Sequence, residues 1–260
     1  MKSVSFDQIC DCLQTIGVSR NDGLLVHSAI QYFGRPLGGV KMYYEAIFSI
    51  IGPGGTLVVP TFSFSFNKTR KYDPQVTPSE KMGVFSELIR NLPGSARTLH
   101  PMQSLTVIGK LSEELSAKDT ASAFDPGSAF EEMIQRDFKI LLLGADIKAI
   151  SVIHYSEQRA NVPYRYWKEF PGEIKINGEW RHRTYKMFVR DLKIDPQLNI
   201  DRIQDELIQK GQWKSVDLNY GKIACCRMQD FVTVADEMLA RDPWIFVSNK
   251  QPEKLKAGAG

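Results

Sequence analysis

The feature that most constrains the fold is a short apolar run that stops abruptly at a glycine. Phe138 and the four residues Ile140–Leu143 are followed directly by Gly144. The run is too short for a separate helix, so it predicts a β-strand that is buried on both faces. Such strands are typical of parallel sheets, and open α/β sheets bind ligands beyond the carboxyl ends of their strands. The residues after Gly144 are therefore the first candidates for a functional site.

A histidine and a carboxylate follow this strand in a helix-like segment. Ser151, His154 and Glu157 are three residues apart in turn. This spacing predicts that the three side chains lie on one helix face and project together beyond the strand. In the alternative interpretation, His154 is a core histidine bonded to a backbone group and Glu157 is a solvated surface acid. The pair alone does not decide between the two.

The bulk composition excludes several classes of protein. A chain of 260 residues that is 43% hydrophobic can bury a sizeable core, and we expect a single domain over 1–260. No apolar run approaches the roughly 18 residues that span a bilayer, and the first residues lack an apolar signal core, so we predict a cytoplasmic protein that does not bind membranes. A net charge of +3 with interspersed signs argues against nucleic acid as a partner. The four cysteines are unsuitably spaced for a zinc site and are predicted to be free thiols.

Two further short runs predict strands of the same kind. Leu24–Val26 leads into His27 and Ser28, and Thr56–Pro60 leads into Thr61. The stretch 40–51 between them has helical periodicity, so the three segments predict a parallel βαβ unit. Together with the strand before Gly144, they indicate an α/β fold whose central sheet is mixed, largely parallel and flanked by helices.

The remaining periodic segments complete the predicted fold. Alternation around Asn177-Gly178 predicts an antiparallel β-hairpin, which would form a flap over about 164–195 in the C-terminal third. The polar stretch 65–81 predicts a long loop, plausibly a lid, and 253–260 a disordered tail. Ser128 is expected to cap a helix in a box closed by Glu131. The other predicted elements are helices over 4–16, 82–91, 130–136, 199–211 and 228–240, and strands over 105–108 and 221–228.

Four polar clusters stand where these strands end or where a helix leaves one. They are His27–Ser28, Thr61–Ser63, Arg97–Ser104 and Ser151–Glu157. If the strands are parallel neighbours, the clusters meet in one crevice. Phosphate-loop enzymes and ordinary serine hydrolases are excluded, because the Gly-rich segment 52–55 precedes a strand and no Gly-x-Ser-x-Gly motif occurs.

Short pieces along almost the whole chain resemble the aminoglycoside 3-N-acetyltransferase family, in family order and at comparable spacing. They are Val26–Ala29, Gly38–Val40, Gly55–Phe62, Gly83–Glu87, Arg97–Ser104, Leu141–Gly144, His154–Glu157 and Gly221–Ala224. The resemblance implies a mixed α/β fold and an N-acyltransferase that uses acetyl-CoA as co-substrate and needs no metal. It further implies that the partners are CoA and a small-molecule amine. The oligomeric state is not fixed by the sequence, and a homodimer is left open.

The resemblance also implies roles for individual residues. His154 matches the family's catalytic histidine, and an amine that attacks a thioester needs such a base. Glu157, or another nearby carboxylate, is expected to orient the ring, and the Thr61 hydroxyl or nearby N–H groups to stabilise the oxyanion. Contacts to CoA are expected from the segment His27–Ser28 and from the segment Arg97–Ser104, which includes His100. The Arg97 guanidinium suits a phosphate.

One departure from the family bears on the acceptor. Antibiotic-modifying relatives commonly have an Asp and an Asn-Thr-Ser run before the histidine, where this chain has Lys148 and Ile150-Ser-Val. Residues 163–193 also contain eight Lys or Arg against four acids, although an evenly solvated face would look the same. We therefore expect an anionic or nucleotide-linked amino sugar, as in cell-surface polysaccharide biosynthesis. The alternative acceptor is an aminoglycoside, which would make the chain a resistance enzyme.

Two other functions remain open at this point. His27, His100 and His154 could form the zinc site of a metal-dependent hydrolase, although no His-x-His or His-Glu-x-x-His pair occurs. A catalytically inactive relative that binds a sugar or a partner is the other alternative. The presence of both His154 and Glu157 argues against inactivity.

Overall fold

The computed structural model describes residues 2–249, so the predicted tail at 253–260 lies outside the described residues. The helices are α1 Phe6–Thr15, α2 Lys41–Ile51, α3 Phe66–Thr69, α4 Gly83–Arg90, α5 Ser112–Ser116, α6 Ala129–Gln135, α7 Ile153–Arg159, α8 Asp201–Gln209 and α9 Met228–Arg241. The strands are β1 Ser3–Val4, β2 Gly23–Ser28, β3 Arg35–Pro36, β4 Thr56–Pro60, β5 Lys71–Tyr72, β6 Ala96–Arg97, β7 Leu105–Gly109, β8 Lys139–Leu143, β9 Arg165–Ile176, β10 Glu179–Arg190, β11 Lys214–Leu218 and β12 Gly221–Arg227.

The central sheet is mixed, with a parallel centre. Within residues 2–249 its strand order is β11-β12-β8-β2-β4-β7-β6. Strands β8, β2 and β4 pair in parallel, while β7 and β6 on one side and β12 and β11 on the other pair antiparallel. The three central strands are the apolar runs of the sequence, and burial on both faces explains why they lack polar alternation. The predicted α/β class with a mixed sheet flanked by helices is confirmed, but the sheet is not largely parallel, because four of its six strand pairings in the described part of the chain are antiparallel.

The polar clusters lie at one edge of the sheet. Strand β7 runs antiparallel to β4, with Leu105 opposite Pro60. The amino end of β7 therefore lies at the same edge as the carboxyl ends of β2, β4 and β8. This brings the segment 97–104 beside Thr61. The polar clusters therefore lie at one edge of the sheet, as predicted. The antiparallel strand β7 contributes to this arrangement as well as the parallel strands.

Helices cover both faces of the sheet, which gives three layers. Along β2 and β4 the side chains alternate between two apolar clusters. Leu24 and Leu57 pack with α1, α2 and α4, whereas Leu25 and Val58 pack with α6, α7, α8 and α9. Helix α7 lies against α9 in the second layer, at the edge where the polar clusters meet.

The C-terminal third contains the predicted hairpin, formed by β9 and β10. Asn177 and Gly178 have φ values of 52° and 85°, as a type I′ turn requires, and Ile176 pairs with Glu179 across it. One face of the hairpin packs on its own apolar cluster, which contains Phe170 and Tyr185.

The stretch 65–81 is not the unstructured loop that its polar composition predicts. It contains α3 and β5, and β5 pairs in parallel with β9. Phe66 and Tyr72 are buried in the hairpin's apolar cluster, and the Tyr72 hydroxyl donates to the Thr98 carbonyl at 3.1 Å. These contacts hold the segment under the hairpin, which argues against a lid that opens freely.

The sequence patterns also missed or displaced smaller features. Strand β11 was not predicted, because it alternates little and pairs at the sheet edge with β12 alone. Ser128 caps α6 as expected and accepts from the Glu131 N–H at 3.2 Å, but the Glu131 carboxylate accepts from Gly127 N–H instead of closing the box on Ser128. The cysteines are free thiols, as predicted.

Candidate active site

Helix α7, which carries His154 and Glu157, is positioned by the turn that ends β8. Gly144 has a φ of 78°, and a Cβ there would lie 2.6 Å from the Ala29 carbonyl oxygen. Only glycine lets β8 leave the sheet this close to the end of β2. A short turn over 147–149 then reverses the chain, and α7 begins at Ile153, which is buried against the core.

His154 and Glu157 form a hydrogen-bonded pair on one face of α7. The distance between His154 Nδ1 and Glu157 Oε2 is 2.6 Å, which the spacing of three residues allows. Glu157 is completely buried, whereas the His154 side chain is 33% exposed. The two residues are therefore paired as their spacing predicts. Glu157 is not the solvated surface acid of the alternative interpretation.

Ser151 does not join this pair as the three-residue spacing predicts. It precedes the first turn of α7 and is buried, and its backbone N–H lies 3.5 Å from His27 Nε2. Its hydroxyl has no hydrogen-bond partner among residues 2–249.

Two residues from outside α7 complete the surroundings of Glu157. Tyr164 Oη donates to Glu157 Oε1 at 3.0 Å, and Arg165 Nη2 lies 2.9 Å from Glu157 Oε2. Arg165 also donates to the Phe188 carbonyl at 3.0 Å, which ties α7 to the hairpin strand β10. Three donors thus surround a buried carboxylate, as burial of a charge requires.

The environment keeps Glu157 ionised. Burial alone would raise the pKa of its carboxyl group, but the hydrogen bond to His154 and the Arg165 guanidinium outweigh burial, so the net pKa is lowered. A carboxylate only accepts hydrogen bonds, so His154 Nδ1 carries the proton that the pair shares. Nε2 is then the nitrogen with a free lone pair. This is the tautomer that a general base needs.

His154 lines a cavity of about 190 Å³ between the sheet edge and the hairpin. Aromatic side chains make up much of the wall, including Phe62 after β4, Phe124 and Phe188 on β10. The Phe124 ring meets the His154 ring edge-on, with centroids 6.1 Å apart. Gln103 and Arg165 add polar groups. A largely apolar cavity with a few placed polar groups is typical of a small-molecule site.

His27 is buried at the end of β2, behind Ser151. Burial lowers the pKa of His27 to about 4, so the ring is neutral at pH 7. Its neighbour Ser28 is half-buried opposite Leu143. Contacts of His27 and Ser28 with CoA remain predictions.

The expected roles of Thr61 and Arg97 do not fit the structure. The Arg97 side chain is buried, and its guanidinium donates to Thr61 Oγ1 at 3.1 Å, Ser104 Oγ at 3.2 Å, Ser63 Oγ at 2.9 Å and the carbonyls of Thr61 and Thr77. Its donors are thus engaged with the protein, which argues against a phosphate contact.

Thr61 and Ser104 are occupied in the same network. The Thr61 hydroxyl also donates to the Ser104 carbonyl at 3.3 Å, and its backbone N–H donates to the same carbonyl at 2.9 Å. The Ser104 hydroxyl donates to the Thr61 carbonyl at 2.7 Å. Neither donor of Thr61 is free for an oxyanion. Thr61, Arg97 and Ser104 therefore form a clamp between β4, β6 and β7, and these hydrogen bonds argue against the predicted oxyanion and CoA contacts.

His100 is buried between the clamp and the hairpin. Its Nε2 lies 3.2 Å from the Lys186 carbonyl, and its ring packs on Tyr185 with centroids 4.8 Å apart. Burial lowers the pKa of His100 to about 4. These contacts bury the ring, and the predicted CoA contact of His100 stays a prediction.

Sequence reasoning missed Tyr164 and Arg165 as parts of the site. Both are separated from the motif His154–Glu157, and Arg165 was counted only as one of the flap's cations. The one available signal was indirect, because a buried glutamate needs a cation nearby. Gln103 was also missed, although it lies inside the segment 97–104 that carries the family resemblance.

Most of the basic charge on the hairpin is paired. Of the eight cations between residues 163 and 193, five have a carboxylate partner. These pairs are Arg165–Glu157, Lys175–Asp73, Arg181–Glu179, Arg183–Asp119 and Lys186–Glu169. Lys148, the departure before the histidine, lies 3.6 Å from Asp201. The flap is therefore less repulsive to a cationic substrate than the count of charges predicted.

Neither a metal centre nor a membrane helix is found in the part of the chain that the structure describes. Among residues 2–249, no three side chains of His, Cys, Asp or Glu are grouped so that they could hold a metal ion. In the same range, no helix combines the length and the apolar character needed to cross a bilayer.

Comparison with known proteins agrees with the mixed α/β fold. Residues 25–240 match the family described as aminoglycoside 3-N-acetyltransferase. The match covers most of the chain, so the chain belongs to this family and is an N-acetyltransferase.

Individual relatives give the same assignment. Aminoglycoside N(3)-acetyltransferase III from Salmonella sp is 28% identical over 253 residues, which are 86% of this chain and 87% of that protein. The solved structure of AAC-IIIb as a binary complex with CoASH has a TM-score of 0.81, covers 96% of this chain and 100% of its own, and at 20% identity supports the fold alone. A histidine-to-alanine mutant of AAC(3)-IVa in complex with a gentamicin has a TM-score of 0.80 at 25% identity and covers 98% of this chain and 94% of its own.

Proposed function

We propose that the chain transfers the acetyl group of acetyl-CoA to a primary amine of an aminoglycoside, with His154 as the general base. The observation that carries the proposal is the pair His154–Glu157, in which a buried carboxylate holds Nδ1 at 2.6 Å at the wall of a cavity. The names of the relatives support the acceptor, and the CoASH complex of AAC-IIIb supports the acetyl donor.

The reaction needs a base because the nitrogen carries an excess proton once it has attacked the thioester. The bound amine loses one proton to solvent, and its nitrogen attacks the thioester carbonyl carbon. The carbonyl π electrons move to oxygen as the new C–N bond forms, and His154 Nε2 accepts the second proton. When the tetrahedral intermediate collapses, the C–S bond breaks and the CoA thiolate takes that proton from the imidazolium. The products are the acetamide and CoASH.

Glu157 supports this cycle in two ways. It fixes the tautomer in which Nε2 is the acceptor, and its negative charge stabilises the imidazolium that forms. Tyr164 and Arg165 hold the carboxylate in place with their own hydrogen bonds. The pair therefore keeps one geometry while the proton enters and leaves the ring.

The ion pairs in the structure are more compatible with an aminoglycoside acceptor than the count of charges in the sequence was. Lys148 and five of the hairpin's eight cations have carboxylate partners, so each presents a dipole and not a full charge to a substrate. Arg190 lines the cavity and has no ion-pair partner within residues 2–249, so one cation stays near the acceptor. None of the relatives supports the anionic or nucleotide-linked amino sugar that the sequence favoured.

For acetyl-CoA, we retain only the end of β2 as a contact. Ser28 is half-buried at the sheet edge, whereas Arg97, His100 and Ser104 are engaged inside the protein. We expect the pantetheine arm to run along the apolar wall toward His154, because pantetheine itself carries no charge.

A thiol-release assay with a panel of amines tests the acceptor. Wild-type protein and acetyl-CoA are combined with gentamicin-type aminoglycosides, with neutral amino sugars and with nucleotide-linked amino sugars. The proposal predicts that aminoglycosides give the highest kcat/KM. Turnover of nucleotide-linked amino sugars with aminoglycosides inert would overturn the acceptor, and no CoA release with any amine would overturn the activity.

A further inference from the structure

Two buried hydrogen-bond acceptors near the site have no donor in the protein. They are His100 Nδ1 and Gln103 Oε1, and neither has a partner among residues 2–249. The Lys186 carbonyl can only accept, so the hydrogen of the His100 ring is on Nε2 and Nδ1 is a bare lone pair. Both residues are more than nine-tenths buried. An unpaired buried acceptor is costly, so each of these atoms needs a donor.

Both residues line a small cavity behind the clamp. Its volume of about 10 Å³ is close to the minimum that holds one water molecule. Thr98 and Ser128 also line this cavity. A water molecule offers two donors, which matches the two acceptors. A hydrogen bond from this water to the carbonyl oxygen would fix the orientation of the Gln103 amide.

The same glutamine also lines the larger cavity that contains His154. Its amide nitrogen makes no hydrogen bond within residues 2–249, whereas the oxygen is the atom that is buried. Gln103 thus separates the two cavities, with its NH₂ group left for the larger one. A donor that lines the same cavity as a general base is suited to stabilise an oxyanion there.

We propose that Gln103 is a catalytic residue whose amide N–H donates to the oxyanion of the tetrahedral intermediate, held in place by a water bridge to His100. The inference rests on the proposed acetyl transfer. Gln103 takes the oxyanion role that the sequence suggested for Thr61, whose hydroxyl and backbone N–H are both engaged in hydrogen bonds. As the amine attacks and the carbonyl π electrons move to oxygen, the Gln103 N–H bond to that oxygen strengthens, and it weakens again when CoA leaves.

Gln103→Met tests the role, because methionine fills a similar volume and has no amide donor. We expect kcat to fall roughly 10²–10³-fold, the usual effect of removing one oxyanion donor, with both KM values within about threefold of wild type. Gln14→Met on the exposed face of α1 is the matched control and keeps wild-type kinetics. A wild-type kcat in Gln103→Met overturns the inference, as does a raised KM with an unchanged kcat. If Gln103→Met does not fold, Gln103→Glu at neutral pH also lacks the donor and is judged by the same outcomes.

A readout without turnover separates this inference from the proposed function. The infrared carbonyl stretch of ¹³C-labelled acetyl-CoA is recorded when it is bound to wild type and to Gln103→Met. The inference predicts a lower frequency in wild type, because a hydrogen bond polarises the carbonyl, and equal frequencies overturn it. The infrared test remains valid even if the protein acetylates no aminoglycoside. That result would overturn the proposed acceptor and leave the role of Gln103 to be decided by the infrared frequencies.

Discussion

Glu157 is the residue on which the geometry of the site depends. It is fully buried, and its two oxygens accept from His154, Tyr164 and Arg165. The hydrogen bonds offset the cost of burying the charge. Removing the charge leaves the buried Arg165 guanidinium without its counter-charge. Glu157 is therefore expected to matter for stability as well as for catalysis.

Glu157→Gln is predicted to lower the free energy of unfolding by roughly 3 kcal/mol, the range seen when one partner of a buried pair is lost. For a chain of this size the melting temperature would fall by roughly 6–12 °C. Thermal unfolding measures the effect, and the rate of acetyl transfer should also fall because the ring loses its orienting charge. The control is Glu173→Gln, whose partner Lys71 is exposed. Equal melting temperatures of the two variants would show that the fold does not need the Glu157 charge to neutralise Arg165.

Arg97 gives a prediction opposite to the one drawn from the sequence. Its donors hold Thr61, Ser63, Ser104 and Thr77 together, so Arg97→Met should destabilise the fold by roughly 2–4 kcal/mol through unsatisfied acceptors. Chemical unfolding measures this loss, with exposed Arg181→Met as control. Calorimetry on the folded variant should give an unchanged Kd for CoA. A marked loss of CoA affinity with normal stability would return Arg97 to the cofactor site.

At the scale of elements, the sequence predicted what local patterns determine. The strands β2, β4 and β8 are continuous apolar runs, and the hairpin has the Asn177-Gly178 signature of its turn. What it missed depends on partners distant in the chain. β11 is an edge strand, and β5 forms only because β9 and the buried Tyr72 hold it. A polar stretch predicts a loop until its pairing partner is known.

The docking of 65–81 under the hairpin depends on a close approach at Gly172. A Cβ there would lie 2.5 Å from the Phe66 ring and 2.7 Å from the Arg70 carbonyl oxygen. Gly172→Ala should cost about 1–3 kcal/mol through overpacking and raise the rate of proteolysis within 65–81. The exposed substitution Glu169→Ala on the same hairpin is the control. Unchanged proteolysis would mean that other contacts fix the segment.

At the scale of the whole molecule, the sequence predicted the pairing of His154 with Glu157 but not the surroundings of the pair. His154 and Glu157 are close in sequence, so helical spacing was sufficient. The hairpin brings Arg165 to the site, and the turn before β7 brings Gln103 there. No local sequence pattern indicates that these two segments lie close to α7. The same limitation applies to Thr61 and Arg97, because position at a strand end does not reveal whether donors are already engaged.

Two buried histidines make the stability of the molecule depend on pH. Burial lowers the pKa values of His27 and His100 to about 4 in the folded state, below the unfolded value of about 6.5. The unfolded chain therefore binds more protons between these values. Stability should be complete above pH 6.5 and fall as pH decreases toward 4, by roughly 3 kcal/mol for each histidine.

Urea unfolding at pH 7 and pH 4.5 measures this dependence. His27→Gln and His100→Gln should each reduce the loss of stability between the two pH values, even if they lower stability at pH 7. His182→Gln, at an exposed position on β10, should leave the loss unchanged. If neither buried variant reduces it, acid destabilisation comes from other groups.

The central claim is that His154 is the general base of acetyl transfer, and its most direct test is the pH profile of kcat in wild type and in His154→Ala. His182→Ala is the exposed control. At saturating amine, the wild-type rate should fall as pH is lowered, because a protonated imidazole cannot accept a proton. His154→Ala should bind CoA with wild-type affinity, lose roughly 10²–10⁴-fold in kcat, and lose the part of this fall that comes from protonation of the imidazole. A His154→Ala variant with near-normal kcat and the wild-type pH profile would contradict the account and assign the base to another group.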